Sequence, residues 1–161
     1  MDRAMSSIRH DLNDITRSQR GLVTRAELAA LGVTPGMRAG LRRSGVLVSA
    51  GSRTFELGGV PPDDKRRLLL ACLDTGGVIS HRSAAWLHAL PGFEVGRPPD
   101  VLVTRIGSRD SKATARVHST TWLPPDDIAK VDGIPCTSIA RTLFALAALV
   151  PLLERDAVKA A

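Results

Sequence analysis

Tyrosine is absent from these 161 residues, and only three phenylalanines and two tryptophans supply aromatic surface. The core must therefore be aliphatic, and the lack counts against single-strand binding, which stacks bases on aromatic platforms. Cysteine occurs twice, as Cys72 and Cys136. Without paired spacing these indicate neither a disulfide framework nor a zinc knuckle, and a reducing cytoplasm fits. No charged, apolar, small-residue signal pattern opens the chain. The longest apolar run, Leu143 to Leu153, contains Pro151 and falls short of the ~20 residues that span a bilayer, so a core helix is expected there and no membrane partner. Phosphate-binding glycine loops, nucleophile elbows and zinc spacings are missing too, so no cofactor or metal is expected.

What the chain does contain is ordinary for a globular protein, with 43% hydrophobic and 24% charged residues. Its length allows one compact domain or two small ones. Lysine and arginine number 22 against 16 acids, giving +6 and a sequence pI of about 10.3. A polyanionic partner is plausible on that balance. The excess is concentrated at the front, where residues 1–59 hold nine basic and five acidic side chains.

That front section carries the densest local signals. Thr24 with Glu27 is a capping box that starts a helix, Leu28 and Leu31 give it a buried edge, and Gly32 ends it. Thr34 caps a second helix with Pro35 at its first position. On that helix Met37, Leu41 and Ser44 share one face, while Arg38 and Arg42 share another with Arg43 beside them. A solvated basic face is the plain alternative. After Gly45, Val46 to Leu57 is rich in strand formers with Gly51-Ser52 as a turn, which reads as a hairpin with Arg53 near its tip. Ile8, Leu12 and Ile15 mark a support helix upstream, and Val23 can pair with the hairpin. The order predicts a winged helix-turn-helix whose second helix enters the major groove. Gly58-Gly59 and Pro61-Pro62 break the pattern, and the domain boundary is placed there.

The runs Gly21 to Leu28, Leu31-Gly32-Val33, Leu41 to Gly45 and Phe55 to Gly59 resemble the N-terminal domain of the AbiEi-like antitoxins of type IV toxin–antitoxin systems. The same front end occurs on actinobacterial proteins that carry a Vsr-like endonuclease domain. The family's Arg-Gly pair before an aromatic is Ser52-Arg53 before Thr54-Phe55 here. Ser80 to Ala85 and Ala140 to Leu143 extend the resemblance, with Ala145 where an acid commonly stands. It implies a DNA-binding autoregulator acting on an operator upstream of its own gene, and a nucleotidyltransferase-like toxin as partner. The expected DNA contacts are Arg25, Thr34, Arg38, Arg42, Arg43 and Arg53. The alternatives are a DNA-locating fragment of a Vsr-like PD-(D/E)xK endonuclease fusion, or a winged-helix protein-interaction module.

The fold class expected is α+β, with a winged helix-turn-helix over residues 1–59 and a small mixed α/β domain over 62–161. In the second part a helix runs from Pro62 to Gly76, Val78-Ile79 is a strand, and Ser80 caps a helix that ends at Pro91. Strands are expected at Val101 to Thr104, Ala115 to Thr120 and Ile128 to Val131, then a helix capped by Thr137 or Ser138. Glu154 to Ala161 reads as a helix cut short, so this domain is expected to be truncated.

Three letter patterns suggest catalysis. Asp100 with Asp110-Ser111-Lys112 spells a PD-(D/E)xK nuclease, but Asp110 sits in a loop-like run of Gly, Ser and Arg. Leu73-Asp74-Thr75-Gly76 spells an aspartic-protease signature, but it also reads as the end of a helix with a glycine stop. His81 and His88 are seven apart without a third ligand. No hydrolase activity is expected.

Overall fold

The computed structural model describes residues 2–104 and 114–149, with side chains described from residue 10 onward. The side chain of Ile8, the residues Asp110 and Lys112, and the end of the chain from residue 150 lie outside that set. The described chain is mixed α+β, with six α-helices and two sheets.

The first part runs α1 (Asp2–Ser18), β1 (Leu22–Thr24), α2 (Arg25–Ala30), α3 (Pro35–Arg43), β2 (Leu47–Ser49) and β3 (Thr54–Leu57). The Thr24 hydroxyl accepts the Glu27 N–H at 3.2 Å, and the Glu27 carboxylate accepts the Thr24 N–H at 2.7 Å, so two of the four free amides at the start of α2 are satisfied. The antiparallel sheet has the order β1-β3-β2, with Val23 opposite Phe55 and Leu47 opposite Leu57. Leu12, Val23, Leu28, Val33, Leu47 and Phe55 are buried together.

The second part contains α4 (Asp64–Thr75), β4 (Val78–Ile79), α5 (His81–Leu87), β5 (Asp100–Thr104), β6 (Arg116–Thr120), β7 (Ile128–Val131), β8 (Ile134–Thr137) and α6 (Ile139–Ala147). Asp63 caps α4 by accepting the Arg66 N–H at 2.8 Å, and Gly76 closes it in the left-handed region at φ 76°. The five strands lie in the order β6-β5-β4-β8-β7, with β4–β8 and β5–β6 parallel and the other two pairs antiparallel. β8, which contains Pro135, has no counterpart in the sequence-based reading. The sheet accommodates the proline because β4 meets β8 at a single pair, Ile79 with Cys136. Ser80 stands at the start of α5 but makes no capping bond; its hydroxyl lies 3.0 Å from His81 Nδ1 instead.

The two parts are joined through β1. Successive residues of a strand face opposite sides, and both Leu22 and Val23 are fully buried, Leu22 in the core built on α4 and the five-stranded sheet, Val23 in the first core. Arg66 fastens the connecting segment. It is buried, and its guanidinium donates to Glu56 at 2.8 Å and to the carbonyls of Val60 and Pro61 at 2.6 and 3.2 Å. The glycine- and proline-rich link is therefore held down from α4.

Arg66→Ala should lower the unfolding free energy by about 2–3 kcal/mol, below the usual cost of breaking a fully buried pair, because the Glu56 side chain is 35% exposed. Denaturant titration measures it. A loss under about 0.5 kcal/mol would mean that the arginine does not fasten the link.

Candidate nucleic-acid interface

α3 is held by one edge. Thr34 accepts the Met37 N–H at 3.3 Å and Pro35 occupies the first turn, so the start of the helix is fixed locally. Met37 and Leu41 are half-buried against the first core, and no residue of α3 is fully buried. At 100° per residue, the face opposite that edge presents Ala39 between Arg42 and Arg43, all three exposed. These residues, with Leu47, Val48 and Ser49 of β2, line an open groove of about 480 Å³. Gly36 and Gly40 lie one turn apart beside Arg43. A Cβ at Gly40 would meet nothing within 4 Å, and one at Gly36 would just reach the Thr34 hydroxyl at 4.0 Å. Packing within the chain therefore does not require either glycine, although each weakens the helix.

The other residues expected at such an interface have partners of their own. Arg38 is half-buried with its guanidinium 6.0 Å from the centre of the Phe55 ring, a cation–π distance. Arg25 is exposed, and its guanidinium donates to the Ser52 carbonyl at 3.3 Å while its N–H donates to the Arg53 carbonyl at 2.8 Å. Thr34 is exposed, with its oxygen engaged at the cap. Arg53 is turned inward: its N–H donates to the Asp74 carboxylate at 2.9 Å, and its guanidinium donates to the Asp74 carbonyl. α3 thus brings Arg42 and Arg43 together on an open face, and the hairpin loop holds Arg53 against the end of α4.

Asp74 is the residue that sequence reasoning missed. In sequence it reads as a helix end, yet its side chain is completely buried and bonded to residues 52–54. One signal was present. An acid in the last turn faces the helix's own carbonyls and is disfavoured there, so its position asks for a donor from elsewhere.

A second cluster of polar residues lies around α5. The rings of His81 and His118 stack with centroids 3.9 Å apart. His118 Nε2 is 2.9 Å from Asp100 Oδ1, Arg116 approaches the same oxygen at 3.8 Å, and the Ser83 hydroxyl accepts the Asp100 N–H at 2.9 Å. His88 is separate, with Nε2 2.8 Å from the Thr137 carbonyl. Among the described residues no three His, Cys, Asp or Glu side chains gather where a metal ion could be held. Burial pushes the Cys72 thiol up to about 12, which disfavours the nucleophilic thiolate. No described helix is long and apolar enough to cross a membrane.

Comparison with models of known families finds no match to this chain, and comparison with curated proteins finds none either.

His81 generates a pH prediction. Burial, then the neighbouring His118, lower its pKa to about 4, with Asp100 opposing and Arg141 adding to the fall. Its unfolded value is near 6.5. Between those values the unfolded chain binds more protons, so stability from this group is complete above about pH 6.5 and is lost as pH falls toward about 4. Thermal unfolding from pH 7.5 to 4 should show a shallower acid decline in His81→Gln than in the wild type. Parallel curves for the two proteins would contradict the assignment.

Proposed function

We propose that the first part of the chain is a winged helix-turn-helix that binds double-stranded DNA through α3. The observation that carries this reading is the exposed Ala39, Arg42 and Arg43 face of a helix whose Met37–Leu41 edge packs on the first core. Such a helix can enter a major groove without leaving its core. The arginines can bond phosphate or guanine edges, and the small side chains of Ala39, Gly36 and Gly40 let the backbone approach closely. The order of α2, α3 and hairpin, and the excess of basic residues in 1–59, support the same reading.

The reading extends to a transcriptional autoregulator of the AbiEi-like antitoxin kind, acting on an operator upstream of its own gene and paired with a nucleotidyltransferase-like toxin. This extension rests on the sequence resemblance described above. Arg42 and Arg43 are the principal contacts. Arg38, Arg25 and Thr34 flank them, and Arg53 contributes little while it is bound to Asp74.

Titrating a duplex from the upstream region at two salt concentrations tests the proposal. Arg42→Ala and Arg43→Ala should each lower the logarithmic salt slope by about 0.9 where the arginine meets phosphate. Where it reads guanine, the loss should be about 1–3 kcal/mol on the preferred sequence alone. Arg53→Ala should leave affinity unchanged. Unaltered binding by folded Arg42→Ala and Arg43→Ala would remove α3 from the interface and favour the protein-interaction reading.

Gly40→Ala separates helix stability from DNA approach. It should stabilise the free protein by about 0.5–1 kcal/mol, since the site is open, while weakening duplex binding. Tighter or equal binding by this variant would mean that the α3 backbone does not come close to DNA.

A further inference from the structure

The loop between β2 and β3 has the construction of an anion site, and that site is filled from within the protein. Two consecutive backbone N–H groups, those of Ser52 and Arg53, converge on the Asp74 carboxylate at 3.1 and 2.9 Å. The Ser52 hydroxyl donates at 3.2 Å, the Thr54 hydroxyl at 3.2 Å and the Thr114 hydroxyl at 3.1 Å. The Arg53 guanidinium closes over the Asp74 carbonyl. Successive amides with hydroxyls and a guanidinium are the donor set that recognises carboxylate and phosphate oxygens. Gly51 makes the close approach possible: a Cβ there would lie 2.5 Å from the Asp74 carboxyl carbon.

The placement of Asp74 strengthens the argument. It stands in the last turn of α4, where the helix dipole opposes a negative charge, and its side chain is completely buried. The helix gains nothing from an acid at that position, and a buried carboxylate is tolerated only when its oxygens are satisfied. Among the described residues the donors come from the hairpin loop and Thr114, which ties the acid to the loop.

We infer that residues 51–54 form an oxyanion-binding loop, that Asp74 is its internal ligand, and that this occupancy holds the loop and Arg53 away from nucleic-acid phosphates. The last clause rests on the DNA reading above; the first two do not. Release of Asp74 exposes donors that take a carboxylate or a phosphate oxygen, and frees the Arg53 side chain.

The full chain carrying Asp74→Ala tests both halves. For the cradle, thermal unfolding is followed in sodium formate and in sodium chloride of equal ionic strength, together with the amide resonances of Ser52 and Arg53. The Tm of the variant should fall by several degrees and recover saturably with formate, and both resonances should move back toward their wild-type positions. Formate acting no better than chloride overturns the cradle. Should Asp74→Ala not fold, Asp74→Asn keeps the volume and one acceptor oxygen, and must shift both amide resonances upfield; unmoved resonances overturn the cradle equally. For the latch, duplex binding is measured at two salt concentrations. The salt slope of Asp74→Ala should exceed that of the wild type by about 0.9, and adding Arg53→Ala should remove the increment. Equal slopes overturn the latch and leave the cradle to the formate result. Absence of duplex binding by wild type and variant alike overturns the latch together with the DNA reading.

Discussion

A carboxylate removed from water must find hydrogen-bond donors inside the protein, and Asp74 finds them in the hairpin loop of the first part. This requirement fixes where the loop lies on α4. β1 adds a second constraint, because Leu22 and Val23 point to opposite sides and are buried in different cores. Arg66 adds a third by gathering Glu56 and the carbonyls of Val60 and Pro61. Burial of apolar side chains is tolerant of small displacements, whereas these polar contacts depend on distance and direction. They set the placement of one part on the other, and so determine which surfaces of the first part stay open.

α3 stays open as a result. The hairpin loop is turned toward α4, whereas Ala39, Arg42 and Arg43 are exposed and border the groove along β2. Arg38 is drawn over the Phe55 ring, which leaves Arg42 and Arg43 as the accessible charge of the helix. The wider basic excess of residues 1–59 raises the local positive potential, which favours encounter with a polyanion and makes it sensitive to salt.

The local elements were legible because each carries its own signal in a few adjacent residues. Thr24 with Glu27, Thr34 with Pro35, and Gly76 mark helix ends through bonds that span only a few positions, and the mixed α+β character follows from them. Val23 also pairs with β3 as the sequence suggests. What was not legible depends on partners distant in the chain. Asp74 reads as the end of a helix until residues 52–54 are brought to it. The Arg53 side chain reads as a loop tip until its carbonyl partner is known. β8 has no counterpart in the sequence-based reading, and Ser80 stands where a cap is expected although its hydroxyl turns to His81. The basic face of α3 was visible from spacing, but its exposure and the open space at Gly40 depend on the fold.

In the proposed function α3 meets DNA and the hairpin loop does not. Titration of the isotopically labelled full chain with duplex DNA, read as amide and arginine side-chain shifts residue by residue, tests this directly. The largest changes should fall on residues 35–43, with the Arg42 and Arg43 side chains among them, while Ser52, Arg53 and Thr54 stay near their free positions. Changes confined to residues 50–54, or spread over the second part while α3 is silent, would contradict it.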